Sequence, residues 1–72
     1  MKNTDKLIKA FKATKLTESN EIELDNLDFA RLVYNEENEV VVENEHGTQF
    51  EVSDLSKEEV RIFLYDLEIQ IK

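Results

Sequence analysis

Apolar positions along the 72-residue chain change period twice. Near the start, Leu7, Ile8 and Phe11 share one helical face while Lys2, Lys6 and Lys9 take the other. That spacing predicts an amphipathic helix over about residues 5–14, with Thr4 as its cap. Leu16–Asn20 is polar and reads as a loop. From Glu21 the pattern turns to alternation, the mark of a half-buried strand. Strands are expected at Glu21–Leu24, Phe29–Tyr34, Glu39–Glu43 and Thr48–Val52. Turn chemistry separates them at Asp25-Asn26-Leu27-Asp28, Asn35-Glu36-Glu37-Asn38 and Asn44-Glu45-His46-Gly47. Leu24, Leu27 and Arg31 would also fit a short helix, but hairpin signals follow directly, so a strand from Phe29 is preferred. The only glycine, Gly47, suits the left-handed position of its hairpin.

The period returns to helical at Ser56–Lys72. Ser56 followed by Glu59 is a capping box, and Leu55 with Val60 supplies the hydrophobic staple beside it. Glu58 and Glu59 place negative charge in the first turn, where the helix dipole favours it. At about 100° per residue, Val60, Phe63, Leu64, Leu67 and Ile71 fall in one arc, and Ile62, Tyr65 and Ile69 fall nearly opposite. A helix with a single core stripe does not need the second one. Three readings account for it. It is scattered exposed surface at a mobile end; or the helix stops near Asp66 and Leu67-Glu68-Ile69-Gln70-Ile71 forms a strand; or Ile62, Tyr65 and Ile69 form a protein interface.

The expected fold is therefore α+β: an N-terminal helix, an antiparallel meander of three to four strands, and a C-terminal helix packed on one face of the sheet. It would occupy residues 1–72 as one small domain. Short connections make neighbouring strands antiparallel and leave no room for a βαβ crossover. The expected core is Ile22, Leu24, Leu32, Val40, Val42, Phe50 and Val52, with Phe11 and the Val60, Phe63, Leu64 and Leu67 stripe.

Size sharpens the interface reading, because a chain this short sits near the lower limit of self-sufficient cores. It has no cysteine, hence no disulfide and no thiolate metal site. Self-association is one of the remaining ways to add stability, so a homo-oligomer is expected. The absence of cysteine agrees with a cytoplasmic location. No apolar run approaches the roughly 20 residues that cross a bilayer, and MKNTDKLIKAFKATK lacks the features of a secretory leader. No membrane partner is expected.

The net charge of −8 is unevenly spread. Residues 1–16 carry five lysines against Asp5, whereas residues 17–72 carry four bases and sixteen acids. Direct nucleic-acid binding is not expected of so acidic a body, since phosphate contacts need Lys and Arg. The lysine face of the first helix reads as solvated surface that lies near the acidic sheet and relieves its self-repulsion. If the inward residues are as above, Glu21, Glu23, Glu39, Glu43 and Glu51 point outward together with Arg31. That acidic surface is either a solvated sheet face or a partner site for a basic protein.

Catalytic chemistry has little to work with. His46, the only histidine, sits at a hairpin tip, away from any pocket that would tune it. The clusters Asp25/Asn26/Asp28 and Glu36/Glu37/Glu39 do not match calcium-loop spacing, and one glycine cannot build a phosphate-cradling loop. No catalytic residue, metal ligand or cofactor site is expected, and the chain reads as a non-enzyme. In element order and acidic face it resembles small phage-encoded inhibitors, including anti-CRISPR proteins and other DNA mimics. It resembles small proteins of low-GC Gram-positive bacteria equally. The resemblance is architectural and assigns no residue a role.

Overall fold

A computed structural model describes residues 3–24 and 28–71, with backbone alone at 3, 70 and 71. Its elements are helix α1 (Asn3–Thr14), strands β1 (Ile22–Leu24), β2 (Asp28–Tyr34), β3 (Val40–Asn44) and β4 (Gln49–Glu51), a 3-10 turn (Val52–Asp54) and helix α2 (Lys57–Ile71). The strands form one sheet in the order β1-β2-β3-β4, every neighbour antiparallel. This is the α+β meander between two helices that the periodicity predicts, with four strands. The turn expected at Asp25 to Leu27 lies outside the described residues.

Several boundaries differ from the sequence expectation. α1 begins at Asn3, so Thr4 lies within the helix and does not cap it. β3 is shifted one residue toward Asn44, and Glu39 precedes it. Val52 leaves the sheet and opens the 3-10 turn, so β4 is shorter than its alternation suggested. α2 continues to Ile71, which removes the reading of a strand after Asp66. Leu67 and Ile69 show it: in a strand they would share one face, yet Leu67 is 1 % exposed and Ile69 55 %.

The two long hairpins are built alike. Asn35 Oδ1 accepts from the Glu37 and Glu39 N–H groups at 2.9 and 2.8 Å. Asn44 Oδ1 accepts from the His46 and Thr48 N–H groups at 3.0 and 2.9 Å. Each loop closes through a residue with positive φ, Asn38 at 63° and Gly47 at 83°. Asn-x-x-(Asn/Gly) is thus one device used twice: a side-chain acceptor fixes the turn and a left-handed residue returns the chain to its partner strand.

Leu16–Asn20 is not the free loop expected of it. The Ser19 N–H donates to the Leu32 carbonyl at 2.9 Å, and the Leu32 N–H donates to Ser19 Oγ at 2.6 Å. Glu18 pairs with Val33 and Ile22 pairs with Ala30, so four steps along one strand face three along the other. That offset is a β-bulge, and it carries the edge of the sheet down from β1 along the rest of β2. Ser19 is buried.

The inner rows Ile22–Ala30–Asn44, Leu32–Val42–Phe50 and Tyr34–Val40 face the helices. α1 contributes Leu7 and Phe11, α2 contributes Val60, Phe63 and Leu67, and Val52 and Leu55, between sheet and α2 in the chain, complete the core. The Phe11 and Tyr34 rings meet at 5.2 Å between centroids. Ile22, Phe50 and Leu64, expected in the core, are only half-buried, whereas Leu7, Ala30 and Leu55 are buried. α1 packs chiefly on α2 and the 3-10 turn, and α2 also touches β1.

Candidate functional site

The capping box and staple set the start of α2, and with it the phase of everything that follows. The Ser56 N–H donates to Glu59 Oε1 at 2.8 Å and the Glu59 N–H donates to Ser56 Oγ at 3.1 Å. Leu55 and Val60 are both buried. Glu59, only 3 % exposed, is the one buried carboxylate among the described residues. With this phase, Val60, Phe63 and Leu67 lie about 140–200° around the helix from Tyr65, and all three are buried. Tyr65 therefore points directly away from the core.

Ile62, Tyr65 and Ile69 are 37 %, 65 % and 55 % exposed. They form a continuous stripe, since residues three and four apart are neighbours on a helix. Arg61 and Glu68, both exposed, border it on one side. On the other side lies Asp66, half-buried, whose Oδ1 accepts from Asn20 Nδ2 at 3.2 Å. The stripe read from the sequence is thus present and uncovered within the chain.

The outer face of the sheet is the second candidate. Glu23, Glu43 and Glu51 lie on it, and Glu21 and Glu39 are exposed just before β1 and β3. Its centre, however, is an ion-paired row. Arg31 Nη2 stands 2.9 Å from Glu43 Oε1, and Arg31 Nε stands 3.8 Å from Glu18 Oε2. Gln49 Nε2 donates to Glu43 Oε2 at 3.4 Å from the other side. The hydrogen bond that Arg31 donates to Glu43, then the charge of Glu18, raises the Arg31 pKa above its ordinary value.

Apolar side chains also share this face, which the sequence reading passed over. Val33 and Val41 are directly opposite on β2 and β3 and half-buried, and Phe29, opposite Glu23, is 43 % exposed. Alternation held the signal, because Val41 lies between two inward valines and Val33 follows inward Leu32. Lys6, Lys9 and Lys12 are solvent-exposed on α1, and Arg31 pairs with Glu43 on the sheet and with Glu18 beside it.

His46 lies exposed at the tip of the β3–β4 hairpin, 3.6 Å from Glu45. A cleft of about 380 Å³, open to solvent, runs between the start of α1 and the β3–β4 edge, lined by residues that include Asp5, Ile8, Glu39 and Phe50. Among the described residues no group of three or more His, Asp or Glu converges as a metal site, and no helix is long and apolar enough to cross a membrane. Asp25 and Asn26, part of one acidic cluster noted in the sequence, lie outside the described residues.

Neither a family model, nor a curated protein, nor a solved structure matches this chain. Its function must be argued from the two faces alone.

Proposed function

We propose that this is a small acidic cytoplasmic interaction module, without catalytic activity, that self-associates through the outer face of α2. The observation that carries the reading is the uncovered stripe of Ile62, Tyr65 and Ile69 directly opposite the core. Their exposed portions amount to about one and a half side chains per copy, which at roughly 1.5–3 kcal/mol each gives about 5–9 kcal/mol for a pair of stripes. Association entropy offsets at least about 4 kcal/mol of this. The net is at most about 5 kcal/mol, which sets the tight limit of the Kd at about 0.2 mM, and the proposed self-association requires a value near that limit.

Sedimentation equilibrium of the wild type and of Ile62→Glu/Ile69→Glu, up to about 2 mM, tests the reading. Dimerisation of the wild type and its loss in the variant are expected. A wild type that remains monomeric throughout that range rejects it.

The other reading is an acidic inhibitor that occupies the nucleic-acid site of a basic protein through Glu21, Glu23, Glu39, Glu43 and Glu51. Its support is thinner. Arg31 engages Glu43, and Val33, Val41 and Phe29 interrupt the carboxylates, so the face lacks the uniform charge spacing of a phosphate backbone.

A further inference from the structure

Resting on the self-association reading, we infer that two copies pair through α2 antiparallel, about a two-fold axis at Tyr65, with Arg61 of each copy against Glu68 of the other.

The argument comes from positions on one helix. Measured around the axis from Tyr65 at about 100° per residue, Ile62 and Ile69 lie at roughly +60° and +40°, and Arg61 and Glu68 at roughly −40° and −60°. The stripe therefore has an apolar flank and a charged flank, with Tyr65 between them. All five side chains are exposed. An antiparallel two-fold through Tyr65 keeps each flank on its own side of the interface, and reverses the direction along the helix. Ile62 of one copy then comes within one residue, about 1.5 Å along the axis, of the level of Ile69 in the other. Arg61 reaches the level of Glu68 in the same way. Apolar meets apolar, and each base meets an acid, twice over.

A parallel pair has the opposite result. Every residue then sits level with its own copy, so Arg61 lies level with Arg61 and Glu68 with Glu68, on opposite flanks and without an oppositely charged neighbour. The second copy brought in antiparallel is complementary in charge as well as in the placement of its apolar flank, and charge complementarity fixes register and orientation more than affinity. Arg61 is free to do this. Its intrachain neighbour Glu58 is 3.6 Å away, with both side chains largely exposed, so little holds the pair together.

Two experiments test the arrangement. The first uses Arg61→Glu and Glu68→Arg, each at an exposed position and checked for fold by circular dichroism. Each alone sets like charges against each other twice, and is expected to weaken the dimer by about tenfold. Mixed together, the two variants form a heterodimer in which every contact is again opposite in charge, and association is expected to return to the wild-type level. Recovery in the mixture supports the antiparallel register; variants that dimerise like the wild type, alone and mixed, overturn it.

The second uses cysteine trapping, which is clean because the chain has no cysteine. With helix axes about 9 Å apart, the Cα atoms of positions 62 and 69 in an antiparallel pair stand about 6 Å apart, within disulfide reach. In a parallel pair they are separated by about 10.5 Å along the axis alone. A mixture of Ile62→Cys and Ile69→Cys should cross-link between the two variants. Cross-linking of each variant only to itself overturns the antiparallel geometry while leaving self-association standing. A wild type that sediments as a monomer overturns both.

Discussion

Replacing Ser19 by alanine removes one oxygen and leaves the rest of the side chain in place. That oxygen accepts the Leu32 N–H at 2.6 Å, on a strand residue with no exposed surface. The reciprocal bond, from the Ser19 N–H to the Leu32 carbonyl at 2.9 Å, is untouched. The Leu32 N–H is therefore left buried without a partner, at a cost of about 1–3 kcal/mol. For a domain of this size each kcal/mol lowers the thermal midpoint by about 4–8 °C. Urea unfolding should show the same loss as a shift in midpoint at unchanged slope, since the surface exposed on unfolding is unaltered. Amide exchange provides the local readout: the Leu32 proton should lose more protection than its neighbours on β2. Thr17→Ala, at an exposed position two residues away, is the control. If Ser19→Ala unfolds within about 0.5 kcal/mol of the wild type, the range of an ordinary surface substitution, then Ser19 does not anchor the bulge and the segment is the loose loop its composition suggests.

Two further substitutions test one principle from opposite sides. Lys15 ends α1 with φ at 60°, where glycine has no Cβ to crowd, so Lys15→Gly should raise stability by about 0.5–1 kcal/mol, read as an upward shift of the thermal midpoint. Gly47→Ala should lower it by about 1–2 kcal/mol. A Cβ at Gly47 would meet nothing within 4 Å, so that loss would come from its backbone angle of +83° alone.

What could be read in advance was what depends on near neighbours. Ser56 and Glu59 are three residues apart, and their reciprocal bonds form as the capping rule requires. The hairpins followed from their loop residues, although the role of Asn38 in matching Gly47 went unread; the repeated Asn-x-x-(Asn/Gly) spacing was the available signal. Ser19 was illegible because its partner, Leu32, is thirteen residues away and pairs through a bulge whose offset no local pattern encodes. On the sheet's outer face, alternation placed Glu23, Glu43 and Glu51 correctly by side. Composition then drew attention to acids and away from Val33, Val41 and the pairing of Arg31 with Glu18. The outer stripe of α2 was legible because phase on a capped helix propagates. Whether the segment after Asp66 kept that phase was not, since Leu67 to Ile71 fits either period and only the contrast between buried Leu67 and exposed Ile69 separates them.

The packing of α1 has a consequence for the order in which the molecule can assemble. Its buried side chains, Leu7 and Phe11, rest largely on α2, which follows the whole sheet in the chain, while each hairpin needs only its own neighbours. During synthesis the meander can therefore form as it emerges, but α1 has no finished seat until α2 follows. For that interval Leu7, Phe11 and the inner face of the sheet are open to any apolar surface nearby. The vulnerable period in the life of this protein is thus the delay between making α1 and making α2, and variants that weaken α2 should aggregate on synthesis before they melt in the test tube.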